Sequence, residues 1–311
     1  MQIVLPGSLP DPREARELTP HMLKAAPTLG GWLQLGLASA TAASPAVAGC
    51  TPYERWQLAA RGFKPGRGQN LSAGLGPLWG DKVTKRDQPV WLAELVHVSP
   101  SREGARLLAA RDLSITTADS VALFDSAQEL FAGSTFTAHP LDTEHWRIEI
   151  HGEFAPVCAS PSLVALSSVN DWWPQDREAR PWRKLVNELQ MQWFEHPVNQ
   201  ARETRGLAPI NSLWLFGGAR PDQLADPIPG KQPQVHDALL ASFHAHDWGR
   251  WLQALERLEA TLFKPLLRKQ PELVLIGNDK YVEIRPSSWL GFLKRLPGTR
   301  DSWRTWWSPL D

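Results

Sequence analysis

Between His196 and Pro221 the chain reads HPVNQARETRGLAPINSLWLFGGARP, the segment richest in groups whose types and spacing could do chemistry. Pro197 suits a first helical position, where its missing N–H is no loss. A helix begun there sets Asn199, Arg202 and Arg205 at i, i+3 and i+6, on neighbouring parts of one face. Gly206 reads as a left-handed helix stop, and Pro209 bars further helix. Ile210 to Phe216 is an apolar run of strand length headed by the polar Asn211, and Gly217-Gly218 ends it where backbone N–H groups can lie bare. Helix cations, a glycine turn and the following Arg220 could converge on one small anion. Asn199, Arg202, Asn211, Gly217, Gly218 and Arg220 are therefore the candidate ligand residues. The alternative is that Asn199 and Arg202 tie the helix to neighbouring carbonyls and acids.

A second cluster, Phe243-His244-Ala245-His246-Asp247, precedes a long amphipathic stretch. His244, His246 and Asp247 could be metal ligands. The competing reading, which no second ligand cluster opposes, makes Asp247 an N-terminal cap on the helix dipole and both histidines loop residues. His196 could act as a general acid, but a lone histidine before a proline more often ends a helix. Cys158 has no basic or histidine neighbour in sequence to activate it. Cys50 and Cys158 are the two cysteines, too few for a disulfide framework or a zinc site.

The elements that must position these groups follow from periodicity. Ile3-Val4-Leu5 is a short strand closed by Pro6-Gly7, and helices are expected around Thr19–Leu37 and Pro52–Arg61. Val90–Val98 alternates as a strand. Thr116 or Thr117 can cap a helix ending at Gly133, and Phe136 and Trp146–Ile150 read as strands. Pro181–His196 is a helix with Trp182, Leu185, Val186, Leu189, Trp193 and Phe194 on its inner side. After a Pro/Asp/Gln linker over Arg220–Gln234 comes the strongest helix, Trp248 to about Lys269. Its stripe is Trp251, Leu252, Leu255, Leu258, Leu262, Phe263, Leu266 and Leu267. Leu273–Ile276 is a buried strand with Tyr281–Ile284 beside it. The alternation is that of an α/β protein, in two lobes.

The His196–Pro221 segment resembles the corresponding stretch of archaeal-type cofactor-independent phosphoglycerate mutases. With NDWWP (Asn170–Pro174), NELQM (Asn187–Met191) and NSLWL followed by glycines, it resembles RpfE-type regulatory proteins more closely. The resemblance implies a phosphatase-like α/β core lobe carrying an inserted α+β lobe: 1–85 and 236–311 for the core, 86–235 for the insertion. It also implies two divalent metals held by Asp and His, and a serine nucleophile. Yet where those enzymes place Asp-Gly after the first strand, this chain has Pro6-Gly7. Where they place Asp-His, it has Gly277-Asn278-Asp279-Lys280, with a lysine that would repel a metal. Ser39, Ser44 and Ser72 lie in Ala/Gly-rich stretches with no accompanying motif. The expectation is a catalytically silent homologue with no cofactor that acts as a regulatory protein binding a ligand or an unidentified protein partner. An active Mn²⁺- or Mg²⁺-dependent phosphotransferase is the alternative. In the mutases the matching Asn and Arg belong to the lobe that faces the active site, so the resemblance implies that Asn199 and Arg202 contact a small phosphorylated or anionic ligand.

The 311 residues carry 33 basic and 33 acidic side chains, so nothing supplies the basic stripe that nucleic acid requires. No uncharged apolar run reaches the ~18 residues of a membrane span. The Ala/Gly/Ser-rich stretch Leu29–Cys50 lies too far in for a signal peptide, so a cytoplasmic location is expected. Sixteen tryptophans are unusual. They could form a stacking platform for carbohydrate; their scatter through periodic segments favours packing instead.

Overall fold

A computed structural model describes residues 1–80, 86–102, 104–227, 230, 232–286 and 303–308. Trp289 and part of the Arg220–Gln234 linker lie outside the described residues. The chain divides into two compact units, one built from Met1–Pro45 and Pro227–Asp311, the other from Ala46–Asp226. The divisions fall at 45/46 and 226/227, not at 85/86 and 235/236. Local packing explains both shifts. The segment 52–79 covers one face of a sheet in the second unit, and Gln234-Val235 pairs with the first strand of the other.

The first unit opens with β1 (Gln2–Pro6), α1 (Pro12–Ala25), α2 (Pro27–Leu35) and β2 (Leu37–Ala42). The second unit then follows. It holds α3 (Pro45–Ala48), α4 (Pro52–Ala60), α5 (Leu75–Trp79), β3 (Val90–Ser101), β4 (Gly104–Leu108) and α6 (Thr117–Ala132). It continues through β5 (Phe136–Pro140), β6 (His145–Ile150), α7 (Pro161–Ala165), α8 (Val169–Trp172), α9 (Arg180–Phe194), α10 (Pro197–Thr204) and β7 (Ser212–Ala219). The chain then returns to the first unit with β8 (Gln234–Val235), α11 (Leu240–His244), α12 (Trp248–Leu258), β9 (Glu272–Ile276), β10 (Lys280–Arg285) and α13 (Arg304–Trp307).

The first unit's sheet has the order β2-β10-β9-β1-β8. β1 runs parallel to β8 and β9, while β10 is antiparallel to β9 and β2. Ile3, Leu5, Leu273 and Leu275 pack with Trp251, Leu255 and Phe263 from the following helices. The helical stretch expected around Thr19–Leu37 begins earlier, at Pro12, and is broken at Ala26-Pro27, where the proline ring excludes the preceding residue from helical geometry. Ala26 has no side chain to cap α2; the carboxylate of buried Glu259 accepts the Thr28 N–H at 3.2 Å instead. The long helix also stops short. α12 ends at Leu258, a π turn spans Glu259–Phe263, and a 3₁₀ turn covers Lys264–Leu266. Pro265 has no N–H for the carbonyl four residues back, and the winding loosens ahead of it. Leu267 consequently leaves the buried stripe and is exposed.

The second unit's sheet is antiparallel throughout, with β3 at its centre between β6 and β7 and with β4 along its outer half. The alternation along β3 separates two cores rather than core from solvent. Trp91, Ala93 and Leu95 face α6 and α9, while Val90 and Leu92 face Leu58, Phe63 and Leu75. In α9 the expected inner residues are buried except Phe194, which is 80% exposed at the last turn. Ten of the described tryptophans are buried, in line with packing as their main task.

Candidate functional site

The short helix α10 begins as its sequence dictates. Pro197 occupies the first turn and the His196 ring accepts the Val198 N–H at 3.2 Å, so His196 is a cap. Burial lowers its pKa below the ordinary histidine value. At the other end Gly206 (φ +72°) closes a Schellman turn, with Leu207 N–H donating to Arg202 O and Gly206 N–H to Glu203 O. Between these caps the two polar residues turn inward. Asn199 is 1% exposed; its Nδ2 donates to Trp193 O and Ile210 O, and its Oδ1 accepts the Ile210 N–H, each at 2.8 Å. Arg202 is fully buried. Its Nε donates to Ala208 O at 2.9 Å, Nη1 to Asp119 Oδ2 at 3.1 Å and Nη2 to Leu113 O. Arg205 stays on the surface and donates to Ala201 O.

Asn211 exchanges two 2.8 Å bonds with the main chain of Val98, extending the β3–β7 ladder by one side chain. Arg220 lies beyond the far end of β7 and pairs with Asp222 at 3.0 Å. At ~3.3 Å per strand residue, Ile210 and Arg220 stand roughly 25 Å apart or more. The anion site expected from Asn199, Arg202 and Arg220 together is therefore overturned. β7 holds the groups at opposite ends, and every side-chain nitrogen of Asn199 and Arg202 already donates to a partner inside the protein.

Gly217-Gly218 does border a cleft. Trp91 pairs with Gly217 and Val90 with Ala219, which leaves Gly218 as the extra residue of a β-bulge. Both glycines have φ near +100°, and a Cβ on Gly217 would lie 2.6 Å from Val90 O. The resulting cleft holds about 230 Å³ and is walled by Trp91, Phe154, Asn70 and Arg67. Gln69 pins its rim, donating to Gly218 O at 2.9 Å and accepting the Gly66 N–H at 2.8 Å. Arg67 is exposed and makes no ion pair with a described residue. Cys158 also borders the cleft, but burial, with the charge of Asp176 adding to it, pushes its thiol up to about 12. Burial likewise raises Cys50, so neither is a thiolate near neutral pH.

Sequence reasoning missed a charged triad in the same unit. β3 and β6 pair Glu94 with His145, whose Nε2 lies 3.3 Å from Glu94 Oε2. Its Nδ1 lies 3.0 Å from Asp142 Oδ1, and the rings of Trp79 and Phe216 pack edge-on against the imidazole. Burial alone would lower the His145 pKa, but the hydrogen bonds and charges of Asp142 and Glu94 outweigh it and raise the value to about 10. Near neutral pH the ring is an imidazolium donating both N–H groups, a tie between strands rather than a base. The Asp142–His145 spacing was visible in the sequence; Glu94, 51 residues away, was not.

The candidate metal ligands His244, His246 and Asp247 are also dispersed in role. Asp247 caps α12, accepting the Arg250 N–H at 3.0 Å, and pairs with the Arg250 side chain at 3.4 Å. His244 ends α11 beside Phe243, and His246 turns the chain at φ +51° beside Trp248. Among the described residues no three His, Cys, Asp or Glu side chains gather closely enough to hold a metal ion.

The carboxyl ends of β1 and β9, neighbours at Pro6 and Ile276, are where an α/β sheet would place such a centre. Here the chain fills that position itself. Ser8 and Leu9 N–H groups both donate to Ile276 O, Ser8 Oγ donates to Leu5 O, and Trp251 Nε1 donates to Gly7 O. A Cβ on Gly7 would lie 2.9 Å from Leu240 Cα, and one on Gly277 2.7 Å from Leu9 O. The residues present do not fit a two-metal centre.

No protein-family model matches the sequence. A probable 2,3-bisphosphoglycerate-independent phosphoglycerate mutase of Geobacter sulfurreducens is 25% identical over 135 residues, 42% of this chain. The match spans 33% of that relative's length. Among solved structures, the cofactor-independent phosphoglycerate mutase of Thermoplasma acidophilum aligns over 97% of this chain and 94% of its own, at 11% identity and TM-score 0.37. A protein of Pyrococcus horikoshii aligns over 92% and 87%, at 13% identity and TM-score 0.46. The chain is thus a mixed α/β protein distantly similar in sequence to the cofactor-independent phosphoglycerate mutases. No helix among the described residues is long and apolar enough to cross a membrane.

Proposed function

We propose that this chain is an RpfE-type, catalytically silent relative of the cofactor-independent phosphoglycerate mutases, acting in the cytoplasm as a regulatory, ligand-responsive protein. One observation carries the reading. The ends of β1 and β9 present Pro6-Gly7 and Gly277-Asn278 where metal-binding carboxylate and imidazole would be needed, and backbone and Trp251 occupy the space. Phosphoryl transfer by two metals needs several such ligands in fixed geometry, and a plugged strand end supplies neither ligands nor room. In this reading the protein uses no cofactor and has neither nucleic acid nor membrane as partner. Its ligand is a small phosphorylated or anionic molecule seated in the cleft beside Gly217-Gly218, with Arg67 as the cation.

The test is a mutase assay on the purified chain with Mn²⁺ or Mg²⁺, alongside metal analysis. We expect no turnover above a contaminant control and no bound metal. Metal-dependent turnover above a few per cent of an authentic mutase would establish the enzyme reading instead. For the ligand, phosphoglycerate should raise the melting temperature, and Arg67→Ala should abolish the rise. An unchanged response in Arg67→Ala would remove the cleft from the proposal.

A further inference from the structure

A second groove of the Ala46–Asp226 unit, about 520 Å³, is lined by Asn170, Trp173, Gln175, Asn187 and Gln190 over a floor that includes Val98 and Ser212. The NDWWP and NELQM segments, 17 positions apart in sequence between Asn170 and Asn187, meet there. Asn187 and Gln190 stand at i and i+3 on α9, whose opposite side is buried through Leu185, Val186 and Leu189. Trp173 follows α8 and leans on Trp214 with ring centroids 5.4 Å apart. Trp214 is itself fixed by its indole N–H to Ala159 O at 2.9 Å. The Asn170 amide lies over Gly104 (φ +124°), where a Cβ would fall 2.4 Å from its Nδ2.

The chemistry of the lining is selective. No Lys, Arg, Asp or Glu side chain lines the groove, so an anion would find no cation and a cation no carboxylate. Four primary amides do, each offering two donors and two acceptor lone pairs. None of the four amide side chains is hydrogen-bonded to another described residue. Ring hydroxyls are the complement of such a set, because each both donates and accepts. An indole held rigid by a second tryptophan offers the flat apolar surface that a sugar's C–H face needs. The volume suits a small ligand and the polar groups are few and placed. We propose that this groove binds a neutral saccharide, at a site separate from the Gly217-Gly218 cleft and independent of whether the chain is catalytically silent.

Calorimetry and saturation-transfer NMR on the full chain, with maltose, cellobiose and N-acetylglucosamine as probes, test this directly. At least one should bind with a Kd of ~10 mM or tighter, and the double variant Asn187→Ala/Gln190→Ala should weaken it ~10-fold or more. Those residues lie on the outer side of α9, so the urea midpoint should not move. Trp173→Phe, which keeps a ring against Trp214, should weaken the same probe to a lesser degree. The phosphoglycerate response of the double variant should equal that of the unmodified chain, which separates this site from the anion cleft. No signal from any probe at ~10 mM, or equal affinity in the double variant, would overturn the proposal.

Discussion

Arg202→Ala is the perturbation that most sharply separates a structural from a ligand-binding role for the α10 helix. The guanidinium is wholly buried and divides its donors among Ala208 O, Asp119 Oδ2 and Leu113 O. Asp119 is in turn the reciprocal partner of Thr116 in the capping box that starts α6, with Thr116 N–H donating to its Oδ2 at 3.2 Å. Arg202 thus fastens α10, the α6 cap and the loop before it at one point. Truncation leaves a carboxylate with 12% side-chain exposure and two carbonyls without their donor, and it opens a cavity the size of the arginine stem. Removing one partner of a buried pair costs about 3–5 kcal/mol. Three charge-assisted bonds at ~1.5–3 kcal/mol each would exceed that range, but water entering the cavity returns part of the loss. We expect about 3–5 kcal/mol in urea melts, a large fraction of the ~5–15 kcal/mol that holds a domain together. Arg202→Lys should recover little, because an ammonium cannot reproduce the three-way fork. Arg202→Met restores stem volume without donors, so its difference from the alanine variant isolates the cavity contribution. A cycle with Asp119→Asn should show coupling of ~0.5–3 kcal/mol. A loss below about 1 kcal/mol for Arg202→Ala, with no coupling to Asp119, would refute the clamp.

Two further outcomes follow from the same geometry. Because the folded His145 pKa is raised to about 10, its stabilising contribution is fully present below the unfolded value near 6.5 and is lost as pH rises through about 10. Melts of the unmodified chain should therefore weaken across that window by on the order of a few kcal/mol relative to His145→Gln, and a gap independent of pH would sink the idea. Asp142, although burial pushes it up, is held below its ordinary value by its bonds to His145 and to the Glu144 and His145 N–H groups, so its contribution disappears on the acid side instead. Leu255→Ala, at a fully buried position of α12 between α1 and the sheet, should cost about 2–5 kcal/mol in denaturant melts. A cost under about 1 kcal/mol would mean that the helix phase is not as described.

The strands and helices most legible in the sequence are those whose pattern has one cause. α9 and the body of α12 each bury an apolar stripe against one layer, and periodicity locates them, while β1 shows as a short apolar run because Ile3, Val4 and Leu5 are buried on both faces of the sheet. β2 escaped because Leu37–Ala42 is an exposed edge strand of Ala, Ser and Thr that pairs with β10 through main chain, leaving no apolar signature. The π turn at Glu259–Phe263 escaped because a helix pattern carries on through Pro265 although the hydrogen bonds cannot. In α10 the spacing of Asn199 and Arg202 correctly puts them on one face, but periodicity does not say which face is inside. With Val198 and Ala201 as the apolar content of Pro197–Arg202, the helix buries its polar side and satisfies it with carbonyls. The converse holds for the saccharide groove. Asn170, Asn187 and Gln190 carry no charge and no motif chemistry, and they acquire a common purpose only where α8 and α9 bring them to the rim of one cavity. Charge and spacing therefore directed attention to Asn199 and Arg202, which the fold consumes internally, while the groups open to a ligand are Arg67 beside the glycines and the neutral amides and indole that spacing could not distinguish from ordinary surface.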